Sequence, residues 1–193
     1  MNRNHFMRRG AALGLGLFAL AGCGGPDAVI NDPDLGNVEQ GVNVASNGSF
    51  EVNVIGNVNY SIVTGSSALP PWTITAGIKV LKASYKTPQA GAQSIDLNGA
   101  GAGSLYQDVP TVVGQGYTVT FYLSNSPGCT TVSRSATLNY GPSTTSFSNA
   151  SATWSLRTYV FNANSTTSRI QLTSNSGGVG CGLAIDNLQV NGP

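Results

Sequence analysis

The feature that most constrains the fold is a two-residue alternation of apolar and polar side chains in residues 117–123 (YTVTFYL). Tyr117, Val119, Phe121 and Leu123 fall on one face of this segment, and the threonines fall on the other. Successive side chains of an extended strand point to opposite sides, so this period predicts a half-buried β-strand. The chain is therefore expected to cover a core with one face of a sheet.

The same pattern returns along the chain. Residues 95–97, 136–140 and 170–172 alternate in the same way, and residues 72–80 and 154–161 have the β-branched and aromatic composition of strands. Turn-forming Gly, Asn, Ser and Pro residues separate these segments, and no window has the 3.6-residue period of a helix. Many short strands at this spacing predict an all-β domain of the sandwich or jelly-roll type.

The last predicted strand contains an irregularity. Leu183 and Ile185 set one phase of the alternation, whereas Leu188 and Val190 set the opposite phase. A slip of one residue near Asp186 is what a β-bulge produces, and bulges re-aim side chains. We therefore expect the Asp186 side chain to point at a specific partner.

The first 22 residues have the three parts of a secretory signal peptide. Arginines precede an apolar run over residues 11–21, which is shorter than the about 20 residues that cross a bilayer as a helix. Residues 20–23 (LAGC) resemble the lipobox of bacterial lipoproteins, which implies that Cys23 is lipidated and becomes the N-terminal residue. An ordinary signal followed by an unmodified Cys23 is the alternative. Gly24 is not the Asp that retains many lipoproteins at the inner membrane, so the resemblance favours the outer membrane or cell surface.

Residues 23–41 have the composition of a flexible tether. They contain glycines, prolines and acidic residues but no basic residue, and such a segment buries too little apolar surface to offset its ordering entropy. The chain is thus predicted to consist of a signal peptide (1–22), a lipid-anchored tether (23–41) and a β-sandwich domain (42–193). The lipid is its predicted contact with a membrane.

The charged residues exclude several classes of function. Loss of the three arginines of the signal peptide leaves six basic residues against eight acidic ones, a net charge of about −2. This balance provides no basic patch for nucleic acid. The only histidine, His5, also lies in the signal peptide, so the exported domain has no Ser-His-Asp triad and no histidine-ligated metal. An enzyme would have to use carboxylates, and Asp96 with Asp108 is the plausible pair besides Glu51 and Asp186.

Two cysteines remain besides Cys23, namely Cys129 and Cys181. In an oxidising export compartment, two thiols most simply form one disulfide. The bond would close a loop of roughly 50 residues, which contributes about 4 kcal/mol on the loop-entropy relation. Two buried thiols are the alternative that the cysteine count leaves open.

Four segments carry a family resemblance. They are residues 47–51 (NGSFE), 91–99 (GAQSIDLNG), 105–109 (LYQDV) continuing to 114–121 (GQGYTVTF), and 181–188 (CGLAIDNL). In this order and spacing they resemble the choice-of-anchor C family, which is related to the plant cell-wall domain of unknown function six-four-two. The resemblance implies a galactose-binding-like jelly roll, the fold of many carbohydrate-binding modules. One departure is Leu183, where the family often has Pro, and we expect it to change a turn.

The resemblance also implies a structural Ca²⁺ site between the first and last strands. The matching residues are Glu51 and Asp186, with the backbone carbonyls of Asn47 and Gly48 as additional ligands. Ca²⁺ takes six to eight oxygen ligands, and two acids brought together at adjacent strand ends would repel each other without a cation. The alternative is that backbone N–H groups cap both carboxylates, or that the carboxylates stay solvated.

A sugar-binding face is the second candidate site. Pyranose rings stack on aromatic rings, and their hydroxyls need amide and carboxylate partners. Trp72 and Trp154 have this chemistry, but each leads an alternating strand and is expected in the core. The candidate residues are Tyr85, Asn98, Tyr106, Gln107, Asp108 and Tyr122. For Gln107, a structural hydrogen bond is the alternative role, and Tyr122 is expected to be exposed because it lies opposite Phe121.

Together, these features predict a non-catalytic, lipid-anchored module outside the cytoplasm that binds polysaccharide or glycoconjugate. A surface or adhesion protein that binds a protein or matrix partner is the alternative, and a flat Thr/Ser-rich surface without an aromatic cleft would favour it. The third hypothesis is a carboxylate-dependent glycosidase or lyase, whose signature is a pair of acids at a defined separation.

Overall fold

Eleven antiparallel strands make up the regular structure of the described domain. The computed structural model describes residues 41–129 and 132–193, and no residue in these two ranges is helical. The strands are β1 (Val42–Asn43), β2 (Tyr60–Leu69), β3 (Trp72–Lys82), β4 (Gln93–Asp96), β5 (Ser104–Pro110), β6 (Gly116–Asn125), β7 (Arg134–Tyr140), β8 (Ser143–Asn149), β9 (Ser155–Asn162), β10 (Thr167–Ser174) and β11 (Leu183–Gly192).

The strands follow one hydrogen-bonded path in the order β8-β7-β10-β5-β3-β4-β11-β6-β9, with β1 beside β11 and β2 beside β3. Strand β3 changes neighbours along its length. Residues 73–76 pair with β5, whereas residues 79–82 pair with β4. The path therefore turns over at β3 into two layers, β8-β7-β10-β5-β3 and β3-β4-β11-β6-β9.

The inner faces of both layers meet in one core. Tyr117, Val119, Phe121 and Leu123 of β6 are buried, as their alternation predicts. The inward side chains of β5, β7, β10 and β11 belong to the same apolar cluster. Two antiparallel layers that share a core in this way form a β-sandwich, which confirms the predicted all-β jelly-roll fold.

The two tryptophans have different environments. Trp72 is fully buried, and its indole N–H donates a hydrogen bond of 2.9 Å to the Asn47 carbonyl. Trp154 is only half-buried, and its indole N–H donates to the Thr87 carbonyl at 2.9 Å, while Lys86 Nζ lies 4.5 Å from the ring centroid. The expectation of a core position is confirmed for Trp72 and was wrong for Trp154, because Trp154 precedes β9 and packs on the loop between β3 and β4.

The bulge and the disulfide occur where they are predicted. The register of β11 against β6 shifts between Asp186 and Gln189, and Asn187 adopts a left-handed φ of 49°. Cys129 and Cys181 form a disulfide with a Cα–Cα distance of 5.6 Å. It joins the turn after β6 to the segment that precedes β11.

The signal peptide, Cys23 and the tether through residue 40 lie outside the described residues and stay predictions. In the described ranges, no helix is long and apolar enough to cross a membrane.

Candidate functional site

Glu51 and Asp186 hold the loop between β3 and β4 against the rest of the domain. Glu51 Oε1 accepts hydrogen bonds of 2.9 Å from the backbone N–H groups of residues 92 and 93. Asp186 Oδ2 accepts hydrogen bonds of 2.6 and 2.9 Å from those of residues 89 and 90. The bulge in β11 thus aims Asp186 at a specific partner, which is a loop of this same chain.

The environment of Asp186 penalises its negative charge. The pKa of Asp186 is raised to about 6, chiefly by burial and also by the nearby charge of Glu51, while backbone N–H groups act in the opposite direction. Five backbone N–H donors converge on this pair of carboxylates, since the Asn187 N–H also donates to Asp186 Oδ1 at 2.7 Å.

Asn47 and Gly48 serve the backbone network beside this pair. The Asn47 carbonyl accepts hydrogen bonds from the Phe50 N–H at 3.2 Å and from the Trp72 indole. The Gly48 carbonyl accepts one from the Leu188 N–H at 2.9 Å. A Cβ at Gly48 would overlap the Leu188 carbonyl oxygen, so only glycine allows this approach of the two backbones.

These four residues do not fit a complete calcium shell in this arrangement. Their described oxygens are largely occupied by N–H donors, whereas Ca²⁺ takes six to eight oxygens. Within residues 41–129 and 132–193, no group of three or more His, Cys, Asp or Glu side chains could hold a metal ion. The geometry matches the alternative in which backbone N–H groups cap both carboxylates. Calcium binding stays a prediction.

A second group of side chains lies on the outer face of the layer β8-β7-β10-β5-β3. Strand pairing places five of these side chains in a row across neighbouring strands. In order, they are Thr73, Tyr106, Gln171, Asn139 and Thr144. This row crosses five strands, and four strand spacings of about 4.8 Å make it roughly 19 Å long. The outer side chains of this layer, called the polar face below, are Thr73, Ser104, Tyr106, Asp108, Thr137, Asn139, Thr144, Arg169, Gln171 and Thr173.

Hydrogen bonds between side chains connect the polar face across its strands. The Thr144 hydroxyl donates to Asn139 Oδ1 at 2.8 Å, and Asn139 Nδ2 donates to Gln171 Oε1 at 3.4 Å. Gln171 Nε2 donates to the Ser104 hydroxyl at 3.2 Å, and Ser104 and Thr173 share a hydrogen bond of 2.9 Å. These bonds orient the amides while leaving them half-exposed, so their remaining donors and acceptors can meet a ligand.

Arg169 joins Tyr106 and Asp108 at one end of the polar face. Its Nε and one terminal nitrogen donate hydrogen bonds of 2.8 Å to the two oxygens of Asp108. Its guanidinium carbon lies 3.7 Å from the centroid of the Tyr106 ring. The hydrogen bond from Arg169 holds the pKa of Asp108 below its ordinary value, so both partners are charged at neutral pH.

The structure does not bring the predicted sugar-binding residues together. Tyr106 and Asp108 lie on the polar face, but Tyr122 lies on the outer face of the other layer, opposite Leu156 of β9. Gln107 is buried, with 4% of its surface exposed. Its amide exchanges two hydrogen bonds of 2.8 Å with the backbone of Ser46, which is the alternative role expected for it.

Asn98 and Tyr85 also lie away from the polar face. Asn98 is fully buried, and its amide donates to the carbonyls of Ser176 and Gly178 at 2.7 and 2.9 Å. Tyr85 packs against Tyr60, with 5.2 Å between the ring centroids. Asn98 therefore holds a loop inside the fold, and Tyr85 belongs to a separate surface.

Asp96 and Asp108 do not form a catalytic pair. Asp96 is fully buried in β4, where burial raises its pKa although its hydrogen bonds and Lys79 act in the opposite direction. Asp108 is exposed on the outer face of the other layer and is bound to Arg169. Since Asp96 is buried in one layer and Asp108 is exposed on the outer face of the other, the structure does not present them as the pair that a carboxylate-dependent enzyme would need.

Eight of the ten residues of the polar face are missing from the sequence-based candidates, among them Asn139, Arg169, Gln171 and Thr173. These four residues could have been found from the sequence. Each is a polar residue that alternates with the buried side chains of β7 or β10, and this alternation also predicts the two strands. The apolar phase identifies the core, and the polar phase identifies the opposite face.

Comparison with solved structures finds the same fold in unlike sequences. An arabinose-bound α-L-arabinofuranosidase is 13% identical, with a TM-score of 0.54 over 82% of this chain and 27% of that one. A carbohydrate-binding module in complex with β-1,4-galactotriose is 18% identical, with a TM-score of 0.48 over 77% of this chain and 97% of that one. At these identities, the arabinofuranosidase likeness shows the fold alone.

Comparison of sequences identifies the family. Halomucin of Haloquadratum walsbyi is 31% identical over 156 residues, which are 77% of this chain and 2% of that much longer protein. The model of the family described as "Protein of unknown function (DUF642)" matches residues 43–191, which confirms the predicted relation to domain six-four-two. The narrower choice-of-anchor C assignment stays a prediction. Because the match spans nearly the whole described domain, the chain belongs to the DUF642 family.

Proposed function

We propose that this domain is a non-catalytic module that binds polysaccharide or glycoconjugate through the polar face. The observation that carries the proposal is the row from Thr73 to Thr144, in which Gln171, Asn139 and Thr144 are oriented by hydrogen bonds between their side chains yet remain at least partly exposed. Sugar hydroxyls both donate and accept hydrogen bonds, and amides and hydroxyls offer both functions. Groups oriented before binding also lose less conformational entropy when a ligand arrives.

The fold supports carbohydrate as the ligand class. The arabinofuranosidase that shares this fold is named for a carbohydrate substrate and was solved with arabinose bound. On the polar face, the exposed carboxylate is Asp108, which is engaged by Arg169. A single carboxylate held in an ion pair suits a binding surface. A glycosidase would instead need two carboxylates placed on either side of the scissile bond.

The experiment is a glycan array probed with the detergent-solubilised full chain. We expect selective binding by the wild-type protein and a loss of about tenfold or more in the double variant Asn139→Ala/Gln171→Ala, because each lost hydrogen bond is worth about 1 kcal/mol. The matched control is Thr158→Ala/Gln189→Ala on the outer face of the other layer. Unchanged binding by the polar-face variant, or equal loss in the control, would refute the proposed site.

The same array tests the calcium prediction. If the backbone N–H groups that cap Glu51 and Asp186 are their only partners, binding and the melting temperature should be the same with calcium and with EDTA. A marked loss of either one in EDTA would instead establish a bound ion.

We also propose that the chain is exported, lipidated at Cys23 and displayed at the outer membrane or cell surface. The proposal rests on the signal-like residues 1–22 and on the LAGC segment at residues 20–23. We expect mass spectrometry of the mature protein to find a diacylglyceryl group on Cys23, and Cys23→Ala to lack it. A mature N-terminus at another residue would overturn the proposal.

A surface or adhesion role is the second candidate function. It is favoured by the outer face of β6 and β9, where Thr118, Thr120 and Thr158 lie beside Leu156 and Val160, the latter two 53% and 71% exposed. This face is rich in threonine. A folded protein that binds no glycan but retains a protein or matrix partner would favour this role.

A further inference from the structure

The polar face carries charge at one place. Of its side chains, Asp108 and Arg169 are the ones that are charged at neutral pH, and the two are 41% and 48% exposed. Their paired hydrogen bonds of 2.8 Å cancel the two charges where a ligand would meet them. The remaining members of the face are uncharged hydroxyl, amide and phenol groups.

Arg169 also limits the contact that the Tyr106 ring can make with a sugar. Its guanidinium carbon stands 3.7 Å from the centroid of the Tyr106 ring, so it covers the ring face on its side. A sugar ring cannot stack there without displacing an arginine that Asp108 also holds. Recognition on this face therefore depends mainly on hydrogen bonds to hydroxyl groups rather than on stacking.

The row of side chains is long and straight. It places Thr73, Tyr106, Gln171, Asn139 and Thr144 one strand spacing apart, over roughly 19 Å. A single sugar would contact only one or two of these positions. An extended chain that runs across the strands would contact all of them.

We propose that the polar face selects uncharged, extended polysaccharide chains, and that Asp108 determines this specificity by neutralising Arg169. This inference rests on the proposed function of the same face. Without Asp108, Arg169 would present an unpaired guanidinium, which is the side chain best suited to bind a carboxylate. The face would then attract uronic acids.

The test compares neutral β-1,4-galactan with polygalacturonate for the wild-type chain and for Asp108→Asn. We expect the wild type to prefer galactan. We expect Asp108→Asn to gain about two- to fivefold in affinity for polygalacturonate relative to galactan, as one exposed charge pair allows. The gain is expected to disappear in high salt, because exposed charges are screened. The matched control is Asp108→Asn/Arg169→Gln. It also removes the positive charge of Arg169 and is therefore expected to show no gain in affinity for polygalacturonate.

Defined outcomes separate this inference from the proposed function. If the folded wild type binds no polysaccharide, the proposed function and this inference both fail. The charge-based specificity fails, while glycan binding stands, in either of two cases. The wild type binds polygalacturonate with the same affinity as galactan, or Asp108→Asn shows no gain in affinity for polygalacturonate. A galactan oligosaccharide series tests the extended contact. We expect affinity to rise up to about four sugar rings, and a plateau at the disaccharide would overturn that part.

Discussion

Replacement of Gln107 by alanine separates a structural role from a ligand-binding one, because the LYQDV motif that contains it is compatible with both. Gln107 is 4% exposed and exchanges two hydrogen bonds of 2.8 Å with Ser46, which attach the segment before β2 to β5. Two such bonds contribute about 1 kcal/mol each, and truncation also leaves a small cavity. We expect Gln107→Ala to lower the free energy of unfolding by about 2 to 3 kcal/mol.

The assay is urea unfolding of the folded protein, accompanied by glycan binding at a temperature where the variant is still native. The matched control is Gln171→Ala, a half-exposed glutamine on the neighbouring strand, which is expected to cost less than about 1 kcal/mol of stability and to weaken binding. The reasoning is refuted if Gln107→Ala unfolds like the wild type and abolishes binding. Gln107 would then be a ligand-binding residue.

Three further predictions concern stability. Cys129→Ser/Cys181→Ser is expected to lose about 4 kcal/mol on the chain-entropy relation for a separation of 52 residues, measured by urea unfolding against the oxidised wild type. Since burial raises the pKa of Asp96, the folded state binds its proton more tightly than the unfolded state. The free energy of unfolding should therefore rise as the pH falls from above that raised pKa toward 4, with a smaller rise in Asp96→Asn; an equal rise would contradict the assignment. Gly48→Ala is expected to lower the melting temperature by several degrees because its Cβ would overlap a backbone carbonyl. Gly56→Ala meets nothing within 4 Å and is expected to change little.

Some strands are easier to predict from sequence than others. The segment that forms β6 buries Tyr117, Val119, Phe121 and Leu123 and is central in its layer, so its alternation is complete. Strand β8 (Ser143–Asn149) is not predicted, because it lies at the end of the strand path and buries only Phe147. An edge strand needs few apolar side chains, so its periodic signal is weak.

Features of the candidate sites also differ in how far the sequence predicts them. The bulge at Asp186 follows from the local alternation of apolar residues. A disulfide was the simplest expectation for Cys129 and Cys181, and the structure decided it over two buried thiols. The partner of Asp186 is a loop nearly a hundred residues earlier in the chain, which no local pattern reveals. The backbone N–H groups that meet Glu51 and Asp186 became visible only in the folded structure, and calcium binding at this pair stays a prediction.

The sequence by itself determined the all-β class, the phase of each central strand, the position of the bulge and the absence of histidine from residues 41–193. These properties depend on residue type and on spacing within a few residues. Only the tertiary structure decided that Tyr106 and Asp108 share a face with Asn139, Arg169 and Gln171, and that Tyr122 does not. Strand order and register come from contacts between distant segments that bury a common core, and a local period carries no information about which strands become neighbours.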